Sequence, residues 1–579
     1  MISGLLPNQM HDGIYRKRTR VVFTAFLLFS LLLISRLFGV QLLQHSRYRL
    51  QARGQQLSTH YLPPRRGSIY DSRGNMLASS IPCYSLYAVP REVPPDRLEE
   101  IARTLSEYID TDPELIRTRL RGERWFAWLR RHLEDETAVR IRELDLPGIG
   151  LRADRKRVYP KGDLLSQVLG FTDPDGNGLE GLEWKFDRQL RGRPGWRLTE
   201  RDGARREVAW HRSHSLDPLD GADLYLTVDE VIQSIAEEEL DRVYREYGAA
   251  WASIVVMEPS SGDILALANR PTFDPNFYRL ATADERRNRA ITDPIEPGST
   301  FKVFPAAAAL EAGLVARDTE FYCEEGAYWI GGRPLRDARP HGILRFEEII
   351  QKSSNIGIAK VGMIMGREQL YQSLLRFGIG QNSGIELPGE SPGVLRPPRN
   401  WSALSLRSIT MGHEVSMTPL GLLTAFCALG NGGVRVRPRI VDRVESSSGE
   451  VVYRPPEKNP GRAVSAETAR EMREILLLAS MEGGTGRRAA IPGFPVAGKT
   501  GTAQKLAPEG GYSRSLYRAL YMGLVPADRP RLAILVVVDE PRPAYYGGVV
   551  AAPVFREVGE RVIRYLDLEP YPPEGEVRS

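Results

Sequence analysis

The sequence predicts a membrane-anchored protein whose larger, C-terminal part is an α/β domain with a sheet covered by helices. Three observations carry this. An apolar run near the N-terminus, residues 21–43, is long enough to cross a hydrocarbon core as a helix. A charged region with helical periodicity follows, and then a stretch dense in glycine and proline. The second half alternates strand-like runs such as Trp251–Met257, Asp263–Ala268 and Arg531–Val538 with helix-like runs such as Leu420–Gly430. The first two strand runs are separated by Glu258-Pro-Ser-Ser-Gly262 and read as a hairpin.

Each element can be justified in chain order. Four basic residues (Arg16, Lys17, Arg18 and Arg20) precede the apolar run, which favours a cytosolic N-terminus and an exported C-terminal bulk. No small-residue cleavage pattern follows it, so an uncleaved anchor is expected. Arg36 lies near the outer end of the span, where its long side chain can snorkel to the interface. Residues 90–146 alternate charged and apolar positions at helical spacing, as in DRLEEIARTLSEYI and DETAVRIREL. Residues 211–223, HRSHSLDPLDGAD, read as a linker. At 579 residues the chain is too long for one core. A net charge of +5, from 78 basic and 73 acidic residues, is too weak over this length to argue for nucleic acid. Cys83, Cys323 and Cys427 are odd in number, far apart and without metal-ligand spacing, so they read as free or buried thiols.

The chemistry lies in three short motifs. In Glu296-Pro-Gly-Ser-Thr-Phe-Lys302 a helical pattern begins at Ser299, so Ser299 and Lys302 share a face. A serine hydroxyl needs a base to become a nucleophile, and a lysine serves only when burial or nearby cations lower its pKa. The backbone N–H of Ser299, at a helix start, is suited to hold an oxyanion. Alone, Ser-x-x-Lys is equally an ordinary helix N-terminus. In Lys352-Ser-Ser-Asn-Ile-Gly, Ser353 is placed to relay a proton and Asn355 to bond both lysine and a substrate amide. In Pro495-Val-Ala-Gly-Lys-Thr-Gly-Thr-Ala503, a strand with glycine at a close approach brings Lys499 to a substrate carboxylate. Thr500 and Thr502 set hydroxyls beside it, Gly501 leaves the backbone open, and the N–H of Thr502 is the candidate second oxyanion donor.

Ser299-x-x-Lys302, Ser353-x-Asn355 and Lys499-Thr500-Gly501 resemble the three motifs of penicillin-binding proteins and serine β-lactamases. Further stretches resemble class B penicillin-binding proteins in particular. They are Arg66-Gly-Ser-Ile-Tyr-Asp71-Ser-Arg-Gly74, Arg157-Val-Tyr-Pro160, Gly178-Leu-Glu-Gly-Leu-Glu183 and Leu226-Thr-Val-Asp229. Ser72-Arg73 departs from the pattern of many relatives, with a local structural effect expected. His413-Glu414 receives no role. Tyr545–Phe555 resembles the C-terminal stretch of the division-specific group.

The resemblance implies a penicillin-binding transpeptidase fold, with an antiparallel sheet flanked by helices behind an elongated, mainly β pedestal. The expected division is a cytosolic tail at 1–20, an anchor at 21–43, a pedestal at 44–221, a transpeptidase domain at 222–565 and a tail at 566–579. It further implies an acyl-enzyme at Ser299 that cross-links peptidoglycan stem peptides, is inhibited by β-lactams and uses no cofactor or metal. The implied partners are a membrane-embedded glycan polymerase of the SEDS type and other division proteins. The implied place is the bacterial cytoplasmic membrane, with the catalytic domain outside. Arg66, Asp71, Glu180 and Glu183 are expected to form structural ion pairs. A β-lactamase or D,D-carboxypeptidase shares the chemistry but needs no anchored N-terminal region, and no motif clearly supplies a deacylating glutamate. The resemblance also admits an elongation-type enzyme. A catalytically silent scaffold would share the architecture, but the intact motifs argue against it.

Overall fold

The computed structural model describes residues 9–201, 207–208, 214–330, 333–456, 460–507 and 510–570. The chain forms two compact units, one from residues up to Pro64 with Arg193–Leu219 and the other from Arg65–Gly192 with Asp220 onward.

In the first unit an α-helix, Gln9–Phe38, continues as a π-helical turn, Gly39–Leu43. Its apolar side chains from Val21 to Phe38 stand exposed, and no described residue buries them. Residues 21–43 span roughly 34 Å at helical rise, enough for a membrane crossing. Leu57–Leu62 then pairs antiparallel with Gly195–Arg201, which also pairs with His214–Leu216. Part of the stretch that reads as a linker is therefore a strand, while residues 211–213 lie outside the described residues.

The second unit is built on a five-stranded antiparallel sheet. Its strands are β1 (Trp251–Met257), β2 (Ile264–Arg270), β3 (Ala497–Leu506), β4 (Tyr512–Val525) and β5 (Leu532–Asp539), in the order β2-β1-β5-β4-β3. The continuous apolar runs of β1 and β5 follow from burial on both faces. Alternate residues enter different cores: Trp251, Val255 and Met257 one, Ala252, Ile254 and Val256 the other. One face is covered by Glu230–Glu246, whose Ile232, Ile235, Ala236, Leu240 and Val243 line one stripe, and by Gly547–Tyr565. Asp229 caps the first of these by accepting the N–H groups of Val231 and Ile232. On the other face lie Val303–Glu311, Asn355–Met365 and Pro419–Gly430. Val303–Glu311 and Pro419–Gly430 are apolar nearly all round because they are buried on almost every side, whereas Asn355–Met365 leaves Met363 and Ile364 exposed.

The region ahead of this domain mixes strands and helices. Met76–Ala88 pairs with Ile149–Val158 and Ala127–Leu133, and Leu98–Ile109, Pro113–Leu120 and Asp135–Glu143 add a small core with Leu86, Leu129 and Leu133. Ala127–Leu133 falls where the periodicity predicts helix. Leu129 and Leu133 are four apart, as on a helix face. In a strand, too, positions four apart lie on one side, and both leucines are buried there; the left-handed backbone at His132 (φ 57°) and slips in register make the strand irregular.

Glu183, fully buried, ties this region together. It accepts from Arg66 Nε at 2.7 Å, Arg157 Nε at 2.6 Å and Tyr159 OH at 3.2 Å, while Arg66 also reaches Asp187 at 2.8 Å. Burial alone would raise the Glu183 carboxyl, but the two guanidiniums outweigh it and hold it below its usual range. Asp71 accepts from the N–H groups of Arg73, Asn75 and Glu230, and Glu180 pairs with Arg286. These boxes are structural knots. The departure at Arg73 is absorbed the same way: its guanidinium bonds Asp229 at 2.7 Å and lies over Tyr565.

Candidate active site

Ser299 sits in a 3₁₀ turn, Gly298–Lys302, that leads into the helix Val303–Glu311. The α-helix therefore starts after the motif, later than the sequence pattern suggests. The tighter turn has three residues per turn and eclipses positions three apart, so it sets Ser299 and Lys302 in line. Thr300 fixes the turn by donating to the Pro297 carbonyl at 2.7 Å. Gly298 takes φ +53°, and a Cβ there would lie 3.0 Å from that of Ala503 on β3. The turn is pressed against the strand that carries the third motif.

Lys302 is fully buried. Its Nζ donates to the Ser353 carbonyl at 2.6 Å and Asn355 Oδ1 at 2.7 Å, with Ser353 Oγ at 3.2 Å. Burial lowers its pKa to about 7, although the Asp337 carboxylate pulls the other way. Ser353 presents its carbonyl because it ends the helix Phe346–Lys352 in a left-handed conformation (φ 59°), and Asn355 begins the next helix directly.

Asp337, which no sequence motif signals, locks this elbow. Its carboxylate accepts Ser354 Oγ at 2.6 Å and the N–H groups of Asn355 and Ile356, and the neighbouring Arg336 carbonyl takes Asn355 Nδ2 at 2.9 Å. The oxygen of Asn355 is thereby aimed at Lys302.

Lys499, Thr500, Gly501 and Thr502 lie on β3, the edge strand of the sheet. Lys499 is also fully buried, and burial together with repulsion from Lys302 holds its pKa well below the usual value. Among the described residues no anion is paired with Lys499, so a carboxylate ligand would restore its charged form. Thr500 Oγ1 is 2.7 Å from Thr485 Oγ1, a second partner that no motif signals. A Cβ on Gly501 would meet Thr300 Cγ2 at 2.8 Å and the Pro297 carbonyl at 3.1 Å. Glycine is what lets the strand approach the Ser299 turn. Thr502 Oγ1 accepts from the Gly547 N–H at 3.0 Å.

His413, given no role from sequence, lies 3.1 Å from Glu296, which also accepts from the Glu414 N–H at 2.9 Å and from Tyr512 OH at 3.2 Å. This cluster braces the residues just ahead of Ser299.

A half-exposed serine, a buried lysine bonded to a Ser-x-Asn elbow and a lysine-threonine strand make an arrangement suited to serine acyl transfer. Residues 252–560 match the penicillin binding protein transpeptidase domain, and residues 61–226 match the penicillin-binding protein dimerisation domain. The chain belongs to the class B penicillin-binding proteins, the family of peptidoglycan D,D-transpeptidases.

Among individual relatives it is 34% identical to "Probable peptidoglycan D,D-transpeptidase PenA" of Neisseria meningitidis serogroup A, over 93% of this chain and 91% of that one. It is 33% identical to the peptidoglycan D,D-transpeptidase FtsI of Escherichia coli K12, over 90% and 86%. The crystal structure of penicillin binding protein 3 of Mycobacterium tuberculosis complexed with ampicillin superposes with a TM-score of 0.71, at 29% identity, covering 89% of this chain and 98% of that one.

Proposed function

We propose that this chain cross-links peptidoglycan stem peptides through an acyl-enzyme on Ser299, in the septal wall. The observation that carries the reading is the environment of Lys302: a fully buried amine, its pKa lowered to about 7, held by two short hydrogen bonds three residues from the serine. As a neutral amine its two hydrogens satisfy the Ser353 carbonyl and Asn355 Oδ1. The lone pair is left for a hydroxyl proton.

In the proposed reaction Ser299 Oγ attacks the carbonyl of the penultimate D-alanine as Lys302 takes the hydroxyl proton. The oxyanion is held by the N–H groups of Ser299 and Thr502. Ser353 Oγ, 3.2 Å from Lys302, passes the proton to the departing D-alanine nitrogen as the C–N bond breaks. An amine of a neighbouring stem then attacks the ester, loses its proton to Lys302 and frees Ser299. Lys499, with Thr500 and Thr502, receives the terminal carboxylate, and Gly501 keeps the strand close. β-Lactams present a carboxylate and a strained amide to the same groups and stop at the ester.

The division role rests on the Tyr545–Phe555 stretch and on the FtsI and PenA names of relatives. The basic residues ahead of the apolar span support a cytosolic N-terminus and a catalytic domain outside the membrane, within reach of a SEDS-type polymerase. Fluorescent penicillin should label the wild type, with the adduct mapping to Ser299, and should not label Ser299→Ala. An unlabelled wild type would leave the scaffold reading. Depletion should give filaments, whereas round, swollen cells would place the enzyme in elongation.

A further inference from the structure

A threonine hydroxyl carries one hydrogen, and it helps to hold a carboxylate only when that hydrogen points at the ligand. For Thr502 the structure shows what sets it. Its Oγ1 accepts the Gly547 N–H at 3.0 Å, at the start of the helix Gly547–Tyr565, so its own hydrogen is left to be donated outward. The partner of Thr500 is another hydroxyl, that of Thr485, at 2.7 Å.

Thr485 lies in the turn that follows the helix Ala466–Ser480, and two close backbone approaches bring it to β3. A Cβ on Gly484 would stand 2.3 Å from the Ala479 carbonyl, and one on Gly548 would stand 2.5 Å from the Thr485 carbonyl. Both contacts close only because a side chain is missing. The Gly486 N–H bonds the Ala479 carbonyl at 2.9 Å and folds the turn back on the helix end. The turn is thereby fixed between that helix and the first residues of Gly547–Tyr565, with Thr485 exposed and Thr500 buried beside it.

In a pair of hydroxyls one donates and the other accepts. Were Thr500 the donor, its hydrogen would be spent on Thr485 and none would remain for a carboxylate. With Thr485 as the donor, the Thr500 hydrogen is free, and the bond it receives strengthens the one it gives. Thr485 is exposed, so water satisfies its own lone pairs. The two hydroxyls of the strand are then primed alike, one by a backbone N–H and the other by a threonine from outside the three motifs.

We infer that Thr485 is a positioning residue for carboxylate recognition: its hydroxyl donates to Thr500 Oγ1 and turns the Thr500 hydrogen toward the terminal carboxylate of the stem peptide. This rests on the acyl-transfer reading and on the place it gives that carboxylate, at Lys499, Thr500 and Thr502.

The test compares acylation of the detergent-solubilised full chain by benzylpenicillin and by its methyl ester, which has no charged carboxylate, as second-order rates followed by intact mass. Thr485→Val keeps the shape and removes the donor. It should slow acylation by the acid about three- to tenfold and change acylation by the ester less than about twofold. Thr485→Ser should restore the wild-type rate with the acid. In a Thr500→Val background, Thr485→Val should have no further effect, because its route to the ligand is gone. Equal losses with acid and ester would mark a structural role and overturn the inference. So would an unchanged rate with the acid, which would make Thr500 the donor. Should Thr485→Val lower the unfolding midpoint, Thr485→Ala takes its place in the same comparison; should the ester react too slowly to follow, the Thr500→Val background decides, and a full further loss there overturns the inference. A wild type that takes acid and ester at equal rates would sink the carboxylate site itself and this inference with it. A wild type that is not acylated at Ser299 would sink the acyl-enzyme.

Discussion

Replacing Lys302 by methionine separates two effects that the structure places on one side chain. Methionine keeps roughly the lysine's length but has no charge and donates nothing. The Ser353 carbonyl and Asn355 Oδ1 would each lose a donor, at about 1–3 kcal/mol per buried acceptor. That loss does not depend on pH. The other effect does. The lysine titrates near 10.5 in the unfolded chain and at about 7 in the folded one. Between pH 7 and 9 the unfolded state keeps a proton that the folded state has released. Wild-type stability therefore rises with pH across this window, relative to a chain without the group. Two pH units at about 1.4 kcal/mol each, less the half-titrated start, give about 2–3 kcal/mol. Lys302→Met should lose that much stability relative to wild type between pH 7 and 9, with little change in the difference below pH 6. Urea unfolding of the detergent-solubilised proteins, followed by tryptophan fluorescence at each pH, measures it. A wild-type-minus-variant difference that stays flat within about 0.5 kcal/mol over the window would refute the claim that the buried lysine is neutral at working pH.

Three further outcomes follow from the same geometry. Acylation of the wild type by penicillin, under second-order conditions, should rise with pH through a midpoint near 7 as Lys302 loses its proton; a midpoint above 9 would count against it as the base. Asp337→Asn should slow acylation about ten- to a hundredfold through a loosened elbow. Because the carboxylate raises the Lys302 pKa, the same change should move that midpoint to lower pH; a midpoint that stays put or rises would be the wrong sign. Glu183→Gln strips the shared partner from Arg66 and Arg157 and should cost about 3–5 kcal/mol, read as a lower unfolding midpoint with penicillin labelling intact at low temperature. In the wild type the contribution of this carboxylate is complete above about pH 4.3 and is lost as pH falls through its lowered folded value, so the gap between the two proteins should narrow in acid.

The features that sequence shows are those whose chemistry is confined to a few adjacent residues. Ser299 and Lys302 lie on one turn, Ser353 and Asn355 on one elbow, and Lys499 to Thr502 on one strand, so each spacing carries its own geometry. The fully apolar β1 and β5 are likewise readable, because burial on both faces leaves no polar alternation to confuse. Asp337 and Thr485 are not, since each sits in an irregular segment and acquires its role only through partners far along the chain. The strand Ala127–Leu133 is hidden because two leucines four apart fit one face of a helix as well as one face of a strand. Glu183 is legible as a structural acid, but its two arginines, 117 and 26 residues away, can be joined to it only in three dimensions.

β3 is the rim of its sheet, with β4 on one side only. A rim strand offers an incoming chain a row of amide and carbonyl groups, and a peptide laid along it is gripped by its main chain before any side chain is inspected. In an extended peptide, inverting one α-carbon throws that residue's methyl to the opposite face of the ribbon. Handedness is thereby read by ordinary sheet geometry. A peptide of the wrong chirality would have to give up either its register along β3 or the meeting of its carbonyl with Ser299.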